Sequence, residues 1–113
     1  MLEKMIDTLF HRYFRGMECY EITMDELLKR QFNNACIIDV RSEQEYREGH
    51  INGSINIPGY SINKYIFNIL KDKNQEIILY CQIGVRSKKA REKLIKFGYK
   101  NVYSLYGGLD NYI

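Results

Sequence analysis

Residues 76–87 read EIILYCQIGVRS, and the pattern changes at Cys81. EIILY (76–80) is apolar without alternation, the composition of a strand covered on both faces. From Ser87 onward Ala90, Leu94 and Phe97 recur at helical spacing until Gly98 stops the pattern. Between them lies CQIGVRS (81–87), a loop that opens with a thiol and turns on Gly84. A buried strand that runs through a short loop straight into a helix is a unit of the parallel α/β sheet.

The rest of the chain supplies more such units. ACIIDV (35–40) is a second doubly covered strand, YEI (20–22) a short edge strand, and SINIP (54–58) a third strand closed by the only proline. NVYSL (101–105) is the last strand, and GGLDNYI (107–113) a turn with a short terminal helix. Thr23 with Glu26, and Ser42 with Glu45, have the spacing of capping boxes. They start one helix running to about Phe32 and a shorter one ending near Gly49. Ile62, Tyr65, Ile66, Ile69 and Leu70 give another helix within 61–71. The expectation is a central, mostly parallel five-stranded sheet flanked by helices on both faces. Leu2, Met5, Ile6, Leu9, Phe10, Tyr13 and Phe14 add an N-terminal amphipathic helix that Gly16 stops. The chain thus divides into that helix (1–18), packed on the domain and open to homodimer formation or partner docking, and one α/β domain (19–113).

Composition narrows the function classes. A chain of 113 residues with 45% apolar content is one folded domain rather than a disordered segment. A net charge of +3, from 17 basic and 14 acidic residues, is too mild to point to nucleic acid and does not repel a small anion. Cys19, Cys36 and Cys81 form no CxxC pair, which argues against both a disulfide scaffold and a structural zinc site, and for a reducing compartment. Glu3, Lys4, Asp7, Arg12 and Arg15 interrupt any apolar leader, and no apolar run approaches the roughly 18 residues of a membrane span. The expectation is a soluble cytoplasmic protein without a metal.

Sites in open parallel sheets form at the carboxyl ends of strands, which selects Asp39 and Cys81. The backbone N–H groups of Gln82, Ile83, Gly84, Val85 and Arg86 can curl into an anion-binding nest ahead of the helix. A thiolate at the base of that nest is the anion it stabilises, and Arg86 adds a permanent cation. A lone cysteine at a strand end is more often a small buried hydrophobe. Gly84, Arg86 and the following helix make the nucleophile the better reading. Arg86, Lys88, Lys89 and Arg91 crowd the first helical turns, where cations cost roughly 0.3–1 kcal/mol each. An anionic substrate offsets that cost at Arg86, whereas Lys88 and Lys89 read as a solvated face.

Three stretches in order now carry a resemblance: IIDVRSEQEYREGHINGSINIP (37–58), YCQIGVRSKKA (80–90) and GYKNVYSLYGGLDNY (98–112). The chain resembles the single-domain rhodanese family of sulfurtransferases over about residues 20–112, with Tyr112 where the family commonly has Trp. The resemblance implies that Cys81 is the nucleophile and that Gln82, Ile83, Gly84, Val85, Arg86 and Ser87 form the substrate-binding loop. Cys81 would take a sulfane sulfur from a small anionic donor such as thiosulfate, or from a persulfide. It would pass that sulfur to cyanide, a thiol or a protein cysteine, with no metal or organic cofactor. Asp39, Arg41, Glu45 and His50 are supporting residues: Asp39 bracing the loop, Arg41 and Glu45 an ion pair or cap partners, His50 a structural hydrogen-bonding group rather than a base for Cys81. Two other classes stay open, a cysteine-dependent phosphatase or arsenate reductase of related fold, and a rhodanese-like module that only binds a partner. Phosphatase loops place five residues between Cys and Arg, and this loop places four. Partner-binding modules often lack the cysteine that this chain keeps.

Overall fold

Strand β4 (Ile77–Tyr80) is buried along its whole length, and its two sides feed two separate cores. The computed structural model describes residues 16–112, so the helix expected at the N-terminus, with its packing or docking role, lies outside the described residues. The other strands are β1 (Glu21–Ile22), β2 (Cys36–Asp39), β3 (Ile55–Asn56) and β5 (Val102–Leu105). They form one five-stranded sheet in the order β1-β5-β4-β2-β3, and every neighbouring pair is parallel. The helices are α1 (Met24–Phe32), α2 (Glu43–Glu48), α3 (Ile62–Ile69) and α4 (Val85–Lys96), with 3-10 turns at Gly59–Ser61 and Leu109–Tyr112.

Alternation along β4 sends Ile77, Leu79 and then Cys81 to one face of the sheet, with Ile62 and Ile66 of α3 and Ala90 and Leu94 of α4. Ile78 and Tyr80 face the other way, toward Leu27 of α1, Ile37 and Leu105, with Leu109 and Tyr112 packed alongside. Both faces are therefore covered, as unalternating apolar strands require. Tyr80 carries a hydroxyl into the second core, and its partners are the Ile51 N–H (3.0 Å) and the Ser54 hydroxyl (2.9 Å). No described helix is long and apolar enough to cross a membrane.

The boundaries differ from the sequence pattern for identifiable reasons. SINIP contributes only Ile55–Asn56 to the ladder because the next donors, Ile57 and Gly59, straddle a proline that has none. Helix α4 begins at Val85, ahead of the apolar periodicity, because Gly84 sets its start and its first two residues, Val85 and Arg86, are exposed. The Ser42–Glu45 capping box is complete. At α1 only half of one forms: the Thr23 hydroxyl accepts the Glu26 N–H (3.3 Å), while the Glu26 carboxylate turns to Arg30 (3.0 Å).

Leu79 is fully buried in the central strand, so Leu79→Ala should lower unfolding free energy by about 2–5 kcal/mol. Truncation of Ile69, half exposed on α3, should change it by no more than about 0.5 kcal/mol. Urea titration checks both: the midpoint moves for the first variant and stays for the second, at constant slope.

Candidate active site

Four residues connect the end of β4 to the start of α4, and their course is fixed by Gly84, which adopts φ 96° and ψ −13°. That left-handed conformation suits glycine and turns the chain sharply under Cys81. Gly84 is the N-cap of α4, yet it has no side chain with which to accept the helix's first N–H groups. Cys81 supplies the missing acceptor. Its Sγ receives the Gly84 N–H at 3.1 Å and the Ser87 N–H, in the first turn of the helix, at 3.3 Å. The sulfur thus stands where a capping Ser or Asp oxygen would, at the positive end of a 12-residue helix. Among the described residues these two amides are the N–H groups bonded to the sulfur, fewer than the whole curl of loop amides expected from the sequence.

Two buried hydroxyls continue from the thiol. Cys81 Sγ lies 3.5 Å from Ser87 Oγ, which donates to the Gly84 carbonyl (3.2 Å) and contacts Ser104 Oγ of β5 (2.8 Å). Ser104 was not singled out by the sequence reasoning. Its signal there is a polar residue at an inward position of VYSL, where a buried hydroxyl requires a partner. Cys81 itself is 0% exposed, so the sulfur is covered by its loop and by the first core.

Gly107 and Gly108 hold the loop from behind, a second feature the sequence reading left without a role. Both have positive φ (71° and 67°). The turn they make aims the Leu109 N–H at the Cys81 carbonyl and the Asp110 N–H at the Gln82 carbonyl, each at 3.0 Å. A Cβ on Gly108 would lie 2.4 Å from the Gln82 oxygen, so the approach admits only glycine.

The supporting residues pair differently from expectation. Arg41 and Glu45 do not form an ion pair with each other. Buried Arg41 binds buried Asp39 through Nε (3.1 Å to both oxygens) and Nη2 (2.8 Å). It also donates to the Gln82 side chain (3.1 Å) and the Gly49 carbonyl (2.6 Å). Asp39 therefore braces the loop through Arg41 and Gln82, and the Gln82 amide also donates to Asp110. Glu45 instead takes a two-pronged contact from Arg86, at 2.7 and 2.9 Å. That guanidinium, with the Ser42 cap, holds the Glu45 carboxyl down at about 2. Arg86 is thereby engaged outside the loop rather than left as a bare cation in it. Exposed His50 points elsewhere: Nδ1 donates to the Tyr46 carbonyl (2.8 Å) and the ring stacks on Tyr46 at 3.7 Å. Ile83 and Val85 are exposed at the loop's rim, and Ser87 is wholly buried. Burial pushes the Cys36 thiol up, and exposed Cys19 precedes β1, toward the opposite end of the parallel sheet from Cys81.

Comparison with known proteins places this geometry. The model of the family described as "Rhodanese-like domain" matches residues 23–113. Thiosulfate sulfurtransferase PspE of Escherichia coli strain K12 is 39% identical over 74 residues, 66% of this chain and 70% of that protein. A tRNA uridine(34) hydroxylase of Buchnera aphidicola is 38% identical over 84 residues, 71% of this chain but 27% of that protein. The chain thus spans only about a quarter of the length of that relative. A solved structure from Staphylococcus saprophyticus is 32% identical and covers 86% of this chain and 94% of its own, with a TM-score of 0.73.

Two variants test the frame of the site. Gly108→Ala should cost at least about 1–3 kcal/mol, because φ 67° strains any residue with a Cβ and that Cβ would meet the Gln82 backbone, and its amide shift changes should concentrate at residues 81–87. The Glu45–Arg86 contact is partly exposed, so Glu45→Gln should cost at most about 1 kcal/mol near neutral pH. Because the folded carboxyl ionises lower than its ordinary 4.5, this stabilisation is full above that pH and disappears as pH falls through about 2. Paired urea titrations across that range should show the two proteins converging in acid.

Proposed function

The chain belongs to the rhodanese-like domain family, and from that premise we propose that it is a sulfurtransferase working through a persulfide on Cys81. It would move a sulfane sulfur from thiosulfate or a persulfide donor to a thiophilic acceptor. The observation that carries this reading is the Cys81 sulfur itself, held as the N–H acceptor of α4 at the carboxyl end of the central strand. Negative charge on that sulfur is favoured by two amides and the helix dipole, as a nucleophilic thiolate requires.

The steps are thiolate displacements. The Cys81 thiolate attacks the outer sulfur of thiosulfate, the S–S bond breaks, and sulfite departs with the bonding pair. The chain then carries Cys–S–S⁻. An acceptor such as cyanide attacks the outer sulfur, leaves as thiocyanate, and returns the Cys81 thiolate. The Gly84 and Ser87 amides are the groups on hand to stabilise charge on either sulfur. Since Sγ is wholly covered, the loop must open enough to admit one more sulfur atom. Phosphoryl transfer is disfavoured because the loop is one residue short and Arg86 is turned to Glu45. Similarity to tRNA uridine(34) hydroxylases favours a second reading, in which the domain serves uridine modification in tRNA.

Purified protein should convert thiosulfate and cyanide to thiocyanate, and Cys81→Ala and Cys81→Ser should both abolish this. After thiosulfate treatment, intact mass should rise by one sulfur, about 32 Da, only when Cys81 is present. Activity surviving in both variants, or a sulfur adduct at another cysteine, would overturn the assignment. Hydroxylated uridine in tRNA without any adduct would favour the second reading.

A further inference from the structure

The crowding of cations in the first turns of α4 resolves unequally. Arg86 is neutralised by Glu45, and Lys88 lies 3.8 Å from buried Glu21. Arg91 donates to the Val102 carbonyl (2.7 Å) and stacks over Tyr20 at 3.9 Å. Among the described residues no carboxylate pairs with Lys89 or with Lys93, one turn further on. Lys93 makes a single contact, to the Gly59 carbonyl (3.2 Å), and keeps donors free. Both lysines line one cavity of about 350 Å³, with Ser42 and the ring of Tyr60 opposite, which is 81% exposed.

The floor of that cavity is Val40 and Ala90, which belong to the same core as Cys81. The cavity therefore lies on the face of the sheet to which the Cys81 side chain points. A neighbouring hollow by Gln82 and His50 has its cation Arg41 already bound to Asp39, and it keeps the Glu48 carboxylate, which among the described residues pairs with no cation and repels an anion. Size points to an organic molecule rather than to thiosulfate or cyanide. The cavity falls in the range of organic-ligand sites and would hold about ten water-sized groups at liquid density, several times what thiosulfate or cyanide fills.

Resting on the sulfurtransferase reading, we infer that this cavity is the acceptor site, and that Lys89 and Lys93 select a small organic thiol carrying an anionic group. The thiol loses its proton to solvent, and its sulfur attacks the outer sulfur of the Cys81 persulfide. The S–S bond to Cys81 breaks, the Cys81 thiolate keeps the bonding pair, and the acceptor leaves as its own persulfide. The anionic group stays on the lysines while Tyr60 covers the carbon chain.

The test uses protein loaded with sulfur beforehand, mixed in single turnovers with 3-mercaptopropionate or with the neutral 2-mercaptoethanol. The ratio of the two second-order rate constants should fall about tenfold in the Lys89→Gln/Lys93→Gln double variant, as two partly exposed charge contacts allow. Lys89→Glu should lower it further, and added salt should lower it in the wild type. A ratio that neither variant moves overturns the proposal. Binding is read separately, in Cys81→Ser protein titrated with 3-(methylthio)propionate, which carries no transferable sulfur. Amide shifts should gather at Tyr60, Lys89 and Lys93 and vanish when Lys89→Gln and Lys93→Gln are added to Cys81→Ser. Shifts elsewhere, or none, overturn the site even if sulfur transfer holds. Shifts at these residues, together with wild-type protein that takes up no sulfur from thiosulfate, would leave the anion site standing and sink the transferase reading alone.

Discussion

The sulfur of Cys81 does the work of a helix cap. Gly84 has to be glycine to turn the chain at φ 96°, and being glycine it cannot cap α4. The first-turn amides then need an acceptor, and Sγ is the atom bonded to the Gly84 and Ser87 N–H groups. One requirement thus serves two ends. The helix start is satisfied, and the sulfur is placed at the positive end of α4. Everything else near the loop keeps this alignment: Arg41 tied to Gln82, the glycine turn at 107–108 against the loop's carbonyls, and Ser104 behind Ser87.

The alternation that places Cys81 also isolates it. As the residue after β4 on the side of Ile77 and Leu79, it belongs to the face covered by α3 and α4, and it is wholly buried there. A buried thiol without donors would resist ionisation, as burial makes it do at Cys36. The difference between these two cysteines is the helix end beneath one of them. On the proposed reading, reactivity at Cys81 would be a property of the strand–loop–helix unit and not of exposure.

Much of this was legible in the sequence, and what was missed has physical reasons. Unalternating apolar runs at 35–40 and 76–80 gave the doubly covered parallel sheet, because only strands buried on both faces lack alternation. The position of Cys81 followed from strand polarity, and Ser42 with Glu45 from local spacing. Partners across the fold were not legible. Arg41 and Glu45 sit at a spacing that suits a helical pair, yet Arg41 precedes the helix and turns in to Asp39, leaving Glu45 to Arg86, 41 residues away. The roles of Ser104 and Gly108 depend on β5 and its turn lying beside β4, which no local pattern encodes.

Charge is distributed around the loop so that fixed pairs cancel and dipoles remain. Asp39 with Arg41, and Glu45 with Arg86, are two closed pairs, one buried and one at the rim. Neither adds net charge at Sγ. A full cation fixed beside the sulfur would stabilise the thiolate strongly but would also hold the product anion, whereas amides and a helix end stabilise charge on whichever sulfur carries it. The loop arginine then reads as a brace between α4 and α2 more than as an electrophile. Lys89 and Lys93, which pair with no carboxylate among the described residues, stand one and two turns further along α4 and line one cavity on the face of the sheet that holds Cys81.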